Sequence, residues 1–214
     1  MSSWRSPRRI WDISQVLRPG LPVWPGDMPF ALERTWRMED GSPVNVGRLT
    51  LSTHSGTHAD APLHYAANGA DAASLLLDPY IGECLVVDAC DVAGREIDVG
   101  DLPDLESADR VLFRTWQTFP HEAWRSDWTS VAADTVHWLA VQGVKLIGTD
   151  APSLDPQDST AMAAHKAVLA EDMRILEGLV LDEVPAGRYE LVALPLKILG
   201  GDAGLCRAVL RELP

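Results

Sequence analysis

Residues 54–64 of the chain read HSGTHADAPLH and hold three of its six histidines. Four polar side chains of this stretch share even position numbers: His54, His58, Asp60 and His64. On an extended backbone, side chains two positions apart point to the same side. Gly56 and Pro62 disfavour a continuous helix here. We therefore predict an extended segment that directs these four side chains to one place.

These side chains are of the types that bind metal ions. Imidazoles combined with a carboxylate suit zinc or manganese. Protonated imidazoles held close together would repel one another, whereas a bound divalent cation keeps them neutral and coordinating. Gly56 permits close backbone approach, and the hydroxyls of Ser55 and Thr57 can orient ligands. The alternative, a solvated polar strand end, explains one histidine more readily than four polar groups on one side.

Other well-known catalytic and nucleotide-binding motifs do not occur in the sequence. The histidine spacing differs from H-E-x-x-H, which weighs against a zincin protease, and there is no G-x-S-x-G elbow of a serine hydrolase. Neither G-x-G-x-x-G nor G-x-x-x-x-G-K-[ST] is present, so the sequence carries no nucleotide-binding signature. The histidine stretch is therefore the strongest indication of function.

Composition and charge limit the class of protein. The 214 residues with 46% hydrophobic content suit one compact domain, and we predict a single domain over 1–214 with residues 1–9 as a flexible leader. The net charge of −13 disfavours nucleic acid and anionic membrane surfaces as partners. No apolar run reaches the roughly 18 residues of a membrane helix. Three scattered cysteines without a C-x-x-C pair favour a reduced, cytoplasmic setting.

Hydrophobic patterning predicts more strand than helix. The predicted strands cover residues 44–53, 82–90, 110–115, 145–150, 176–184 and 189–198. Two helices are predicted, one over 129–144 with Thr129 or Ser130 near its N-cap, and one over 160–173. The prolines and glycines of residues 17–29 predict a loop. This mixture predicts a β-rich α/β fold.

The pattern H-x-G-T-H-x-D-x-P-x-H resembles that of the cyclase-like metal-dependent hydrolases, and within them the chain is similar to the bacterial kynurenine formamidases, or arylformamidases. The resemblance covers nearly the whole chain. Its motifs are WDIS at 11–14, PVWPGD at 22–27, STHSGTHADAPLHY at 52–65, GTDAPSLDP at 148–156 and HKAVLAEDMRILEGLVLDEV at 165–184. It implies a single cyclase-like domain, with a mixed β-sheet sandwich or barrel-like core and flanking helices, assembled as a homodimer or larger homo-oligomer.

The resemblance also implies a set of metal ligands. His54, His58 and Asp60 would hold one zinc ion, and Asp60 would bridge to a second ion held by His165 and Glu177. The expected cofactor is therefore two Zn²⁺ per subunit, with Mn²⁺ or Co²⁺ as substitutes that the same ligand types accept. From the residues alone, His165 is one polar residue in an alanine-rich segment, whereas Glu177 follows apolar residues and needs a partner.

The activity implied by the resemblance is hydrolysis of N-formyl-L-kynurenine to L-kynurenine and formate, a step of tryptophan catabolism. His64 would be the catalytic acid and base, and Trp24 would contact the aromatic ring of the substrate. Asp150 and Asp155 follow a predicted strand and either shape the site rim or form turns.

Three alternatives to this activity stay open at the level of sequence. The first is a related amide hydrolase that opens the ring of isatin, because the metal motif does not separate the two activities. The second is a metal-dependent binding protein without turnover, which the additional basic group of His64 disfavours. The third is a structural zinc domain, which the lack of a cysteine cluster disfavours.

Overall fold

The computed structural model describes residues 8–105 and 107–214. Within this part the strands are β1 (Ile10–Asp12), β2 (Ala31–Trp36), β3 (Val46–Thr50), β4 (His58–Asp60), β5 (Ile81–Asp88), β6 (Arg110–Arg114), β7 (Leu146–Thr149), β8 (Arg174–Glu177), β9 (Gly187–Val192), β10 (Ala203–Leu205) and β11 (Val209–Arg211). The α-helices are α1 (Ala133–Val141) and α2 (Ala163–Ala170).

Nine strands form one mixed sheet in the order β1-β11-β9-β5-β6-β7-β8-β4-β10, while β2 and β3 form a separate hairpin. The four central strands from β5 to β8 run parallel, and the outer pairs are antiparallel. Parallel neighbours need long crossovers, and α1 and α2 lie in those between β6, β7 and β8. The predicted β-rich α/β fold with a mixed sheet and flanking helices is confirmed.

Apolar side chains cover both faces of the sheet. The core on the helix side includes Val111, Phe113, Ile147, Leu139 and Val168. The core on the opposite side includes Val86, Leu112, Leu146, Leu191 and Leu210. Because both faces of the central strands are buried, these strands read as continuous apolar runs and were recognisable in the sequence.

The alternation of side chains along β8 and β4 directs polar groups to the helix side of the sheet. Ile175 belongs to the helix-side core, so Glu177 two positions later points the same way. In β4, Ala59 belongs to the opposite core, and its neighbours His58 and Asp60 therefore face the helix side. The antiparallel register places His58 directly opposite Glu177. Strand pairing thus brings a histidine and a distant glutamate together.

The first predicted helix starts later than the sequence suggested. Its N-cap is Ala132, and the prediction of Thr129 or Ser130 near the N-cap is wrong. Val131 forms a bridge with Ile97, and the backbone N–H of Ile97 donates to the carbonyl of Ser130, which keeps this stretch extended. Pairing with a distant segment therefore overrides the local helical pattern.

Two strands end earlier in the structure than the sequence predicted. The strand expected over 176–184 ends at Glu177 because Gly178 adopts a positive φ of 63° and the chain turns away. The strand expected over 189–198 ends at Val192, and Pro195 then forms only an isolated bridge with Cys206. The first segment is apolar because the loop after Glu177 is largely buried, whereas Leu194 and Leu196 of the second segment are 39% and 55% exposed.

Residues 1–7 of the predicted leader lie outside the described part, whereas the backbone N–H of Arg9 donates to the Glu212 carboxylate at 2.9 Å. Neither α-helix is long and apolar enough to cross a membrane. Cys84, Cys90 and Cys206 are buried free thiols, and the apolar run in the sequence indicated burial for Cys84 and Cys90.

Candidate active site

The backbone of the histidine stretch is extended only in part. Residues 53–57 form turns with Gly56 at a positive φ of 66°, β4 covers His58–Asp60, and a short 3₁₀-helix covers Pro62–His64. The prediction of a continuous extended segment is therefore wrong outside β4. The side chains still converge, because the imidazole centroid of His54 lies 4.9 Å from that of His58 and 4.2 Å from that of His64.

A buried centre forms around the carboxylate of Asp60. Nδ1 of His54 and Nε2 of His58 lie 3.2 and 3.4 Å from its Oδ1, and Nε2 of His165 lies 3.3 Å from its Oδ2. The carboxylate of Glu177 lies 3.5 Å from Nε2 of His58 and 3.6 Å from Nε2 of His165. Three imidazole nitrogens and two carboxylates thus face one small volume. His54 and His58 lie on the Oδ1 side of Asp60, and His165 lies on its Oδ2 side.

The carboxylate of Asp60 is fully buried and accepts no hydrogen bond through either oxygen among the described residues. A buried carboxylate without a partner is costly, and native proteins satisfy such groups with a hydrogen-bond donor or an ion. The nearby imidazole nitrogens point at the same volume as the oxygens and not along hydrogen bonds to them. These donors fit a divalent cation, since His and carboxylate ligands are those that zinc and related metals take.

The outward nitrogen of each imidazole in the centre contacts an oxygen acceptor. The pairs are His54 Nε2 with Asp202 Oδ2 at 3.2 Å, His58 Nδ1 with the Gly56 carbonyl at 3.0 Å, and His165 Nδ1 with Asp155 Oδ2 at 2.5 Å. A carbonyl or carboxylate only accepts, so the outward nitrogen carries the hydrogen. The inward nitrogen of the neutral ring then presents its lone pair to the centre, as a metal ligand requires.

When no cation is bound, the carboxylates around His58 and His165 favour the protonated form of these imidazoles. Burial by itself lowers the pKa of His58, but Asp60 and Glu177 outweigh it and raise that pKa to about 10. Burial also opposes the charged form of His165, yet Asp155, Asp60 and Glu177 raise its pKa to about 10. The centre therefore attracts positive charge, which a divalent cation supplies when it displaces these protons.

His64 lies at the open side of the centre, with about a third of its side chain exposed. Its ring centroid is 6.0 Å from that of His165, and its Nδ1 is 3.8 Å from Oδ2 of Asp202. Burial is the main cause that lowers the pKa of His64 below its ordinary value. The imidazole is therefore neutral near pH 7 and able to accept a proton.

A cavity of about 380 Å³ opens onto the centre, where His54, His58, His64 and Glu177 contribute to its lining. Its apolar walls are formed by Trp24, Trp116, Phe119, Trp124 and Met162. The ring centroid of Trp24 lies 5.5 Å from that of Trp124 and 5.7 Å from that of Trp128, which fixes one wall as an aromatic cluster. Such a cavity suits a flat aromatic ligand with a reactive group directed to the polar end.

Comparison with known proteins places this chain in a family. Residues 11–156 match the model of the Cyclase family. The chain belongs to that family. The cyclase-family chain is 77% identical over 214 residues to the kynurenine formamidase of Erythrobacter litoralis, with 100% of this chain and 99% of the relative covered. It is 54% identical over 207 residues to the kynurenine formamidase of Sphingopyxis alaskensis, covering 96% and 99%.

A solved structure described as a potential metal-dependent hydrolase with cyclase activity has the same fold as this cyclase-family chain. The two superpose with a TM-score of 0.83 at 31% identity, covering 97% of this chain and 99% of the other. The sequence resemblance to the cyclase-like metal-dependent hydrolases is thereby confirmed. The full-length relatives also favour the formamidase branch over a hydrolase of isatin.

The structure of the cyclase-family chain brings all seven predicted site residues to one region. Those at the centre are His54, His58, Asp60, His165 and Glu177, with His64 at its open side and Trp24 in the wall of the adjoining cavity. Two other histidines lie elsewhere: His121 packs on Phe119, and His137 pairs with Glu171 on the surface.

Two carboxylates of the site were missed or misjudged from the sequence. Asp202, which contacts His54, carries no local signal, because it lies 148 positions along the chain. Asp155 was interpreted as a rim or turn residue, but it is buried and contacts His165 through both the ring and the backbone N–H. Its position ten residues before His165, in the loop that leads to the predicted helix, was the one available signal.

Asp150 holds one wall of the cavity in place. Its carboxylate accepts hydrogen bonds from the backbone N–H and hydroxyl of Thr115 and from the backbone N–H of Trp116. Burial raises the pKa of Asp150 to about 7, while these donors act in the opposite direction. The residue thus ties the loop that carries Trp116 to the end of β7, where Thr149 precedes it.

Proposed function

We propose that this protein is a metal-dependent kynurenine formamidase, which hydrolyses N-formyl-L-kynurenine to L-kynurenine and formate in tryptophan catabolism. The observation that carries the proposal is a buried set of inward-facing imidazoles and carboxylates at the end of an aromatic cavity. Relatives named kynurenine formamidase that match over the full length support it.

We further propose two zinc ions in this centre. His54, His58 and Asp60 would hold one ion, and Asp60, His165 and Glu177 the other, since Asp60 directs one oxygen to each half. Manganese or cobalt suits the same donors. Such a metal, when bound, makes hydroxide available near neutral pH and polarises the formyl oxygen.

His64 is the proposed general base and acid of the reaction. Its neutral imidazole, at the cavity side of the centre, accepts a proton from the attacking water and then donates it to the departing aryl amine nitrogen. The formyl C–N bond breaks as the amine leaves, and formate retains the new C–O bond. The indole of Trp24 in the opposite aromatic wall would contact the substrate ring.

The open cavity weighs against the two non-catalytic alternatives. A structural zinc site is normally closed by four protein ligands, whereas this centre adjoins a cavity. A binding protein without turnover needs no neutral imidazole beside the ligand set, and His64 occupies that position. The geometry therefore favours an enzyme.

We also propose that a second copy of the chain covers the β2–β3 hairpin. Its two strands are almost entirely exposed, yet they carry large apolar side chains such as Trp36, at 58% exposure, and Leu49, at 56%. Contiguous exposed apolar surface usually marks an interaction site. A homodimer or larger homo-oligomer accounts for it, and a cytoplasmic location agrees with the three free thiols.

Parallel turnover assays on N-formyl-L-kynurenine and isatin test the proposed activity. We expect the zinc-loaded protein to release formate from the first compound with a kcat/KM at least about tenfold above that for isatin ring opening, in keeping with the discrimination that a specific pocket provides. Equal or faster hydrolysis of isatin would overturn the assignment, and so would tight binding of formylkynurenine without product.

A further inference from the structure

Arg125 is the only lysine or arginine among the described residues that line the active-site cavity. Its position is notable in a chain with a net charge of −13. The cavity adjoins an anionic ligand set, so a neutral aromatic amide would need no cation at its wall. A substrate that carries its own carboxylate would pair with one, because a charge-assisted hydrogen bond to a guanidinium favours binding of a carboxylate.

The guanidinium of Arg125 is held in place and still has donors to offer. Its Nε and Nη2 donate to the carboxylate of Asp127 at 2.8 and 2.5 Å, and its Cζ lies 5.4 Å from the ring centroid of Trp116. A guanidinium has five N–H groups, and this pairing uses two of them. Among the described residues the remaining N–H groups, Nη1 included, have no other acceptor, so they can bind a ligand carboxylate, which matches the planar donor geometry of arginine.

Asp27 supplies a complementary negative charge at the same cavity. Of the carboxylates that line the cavity, Glu177 belongs to the buried centre and Asp150 is occupied by loop N–H groups, whereas Asp27 is exposed. One of its oxygens accepts from the backbone N–H of Met28 at 2.7 Å. The backbone N–H of Asp27 donates to the carbonyl of Trp24, so one turn carries both side chains.

We propose that Arg125 binds the α-carboxylate and Asp27 the α-ammonium group of an amino-acid substrate whose aryl formamide reaches the metal centre. The inference rests on the proposed function and names the part of the site that selects formamides carrying an amino acid over simple aryl formamides. Charge-assisted hydrogen bonds at a site remote from the reacting bond supply the binding energy for this selection.

The test compares Arg125→Gln with the parent protein on two substrates, N-formyl-L-kynurenine and ortho-formamidoacetophenone, which has the same ring and formamide but no amino-acid end. We expect kcat/KM for formylkynurenine to fall about 10- to 100-fold, as for loss of a hydrogen bond to a charged group. The value for the acetophenone should change less than about twofold, because that compound cannot make this contact.

Arg95→Gln is the matched control. Arg95 also pairs with an aspartate through two hydrogen bonds, to Asp101 at 2.6 and 2.5 Å, and its side chain is 51% exposed against 50% for Arg125. It does not line the cavity. We expect this variant to match the parent on both substrates, which separates loss of a surface ion pair from loss of a substrate contact.

Failure of the proposed role of Arg125 and failure of the proposed activity would give different results. An equal change of kcat/KM on both substrates in Arg125→Gln, or no change on either, would overturn the role of Arg125 while leaving the formamidase assignment intact. If the parent hydrolyses neither compound, the proposed function itself fails and the subsite with it.

Asp27→Asn tests the second half of the proposal with a third compound, the analogue of formylkynurenine that has hydrogen in place of the α-amino group. We expect this variant to lose about 10-fold or more on formylkynurenine but to match the parent on the analogue. Equal losses on both compounds would show that Asp27 does not contact the ammonium group.

Discussion

His64 differs from the other histidines of the site because neither of its nitrogens lies within 3.5 Å of a carboxylate of the described residues, and its pKa is lowered and not raised. These properties suit proton transfer better than coordination. We predict that His64→Ala keeps its metal content but loses about 10²- to 10⁴-fold in turnover of formylkynurenine. His137→Ala, which removes a surface histidine, is the control. Parental turnover in His64→Ala would show that another group transfers the proton.

Asp202 orients His54 from outside the proposed metal site, and it also accepts a hydrogen bond from the hydroxyl of Thr53 at 2.7 Å. Outer carboxylates of this kind typically contribute 10- to 100-fold in metal affinity. We predict that Asp202→Asn weakens zinc binding by about this factor, measured by competition with a chelator of known affinity.

Glu171→Gln is the control for this variant, because Glu171 also pairs with a histidine, His137, but at a surface position away from the centre. The Glu171→Gln variant should bind zinc with the same affinity as the parent. Unchanged affinity in Asp202→Asn would mean that the contact with His54 has no influence on metal binding.

Single residues show where sequence reasoning succeeded and where it stopped. His54, His58, Asp60 and His64 lie close together in the sequence, so their shared role was predictable from spacing. His165 and Glu177 entered only through the family resemblance. Asp202 was out of reach, because its contact with the site depends on the pairing of β10 with β4, and no local pattern encodes that pairing.

At the scale of elements, the histidine stretch converges for a different reason from the one predicted. Side-chain parity on an extended backbone accounts only for His58 and Asp60 in β4. A turn with Gly56 in a left-handed conformation brings His54 to the centre, and a 3₁₀-helix brings His64. The strands and helices of the core were largely predictable from apolar runs, whereas their ends were decided by glycines and by long-range bridges.

The close approach between the end of β8 and the turn at Gly56 depends on Gly178. Gly178 follows Glu177 with φ at 63°, and a Cβ placed there would lie 2.5 Å from the carbonyl oxygen of Gly56 and 2.7 Å from Nε2 of Gln15. We predict that Gly178→Ala lowers the free energy of unfolding by about 2–4 kcal/mol, since backbone strain and a backbone clash add together. Urea denaturation of the metal-free protein measures it.

Gly94→Ala isolates the contribution of backbone conformation alone. Gly94 has a φ of 89°, and a Cβ there would meet no atom within 4 Å. The Gly94→Ala variant should lose only about 1–2 kcal/mol of the free energy of unfolding. Equal losses in the two variants would show that the close approach of Gly56 to Gly178 is unimportant.

At the scale of the whole molecule, the β2–β3 hairpin exposes several large apolar side chains, Trp36 and Leu49 among them. We predict that the parent is a dimer or larger in solution and that Trp36→Glu shifts it towards the monomer, because a charge at this exposed apolar position opposes burial in an interface. Light scattering after size-exclusion chromatography measures the mass. Val141→Glu, at a position 81% exposed on α1, should leave the assembly intact. A monomeric parent would contradict the prediction.

The charge of the whole molecule also has a functional consequence. With 31 acidic and 18 basic residues, the protein has a negative average charge, yet the substrate bears a carboxylate. We therefore expect electrostatic attraction of the substrate to be local, at Arg125 and at the proposed cations of the centre. The net charge disfavoured nucleic acid as a partner but gave no indication of this local arrangement.

The central claim is that the converging imidazoles and carboxylates hold divalent ions on which hydrolysis depends. Its most direct test is elemental analysis of the purified protein, paired with formylkynurenine turnover before chelation, after chelation and after zinc is restored. We predict about two ions per chain, loss of turnover on chelation and recovery with zinc. Full turnover by protein shown to be free of metal would contradict the claim.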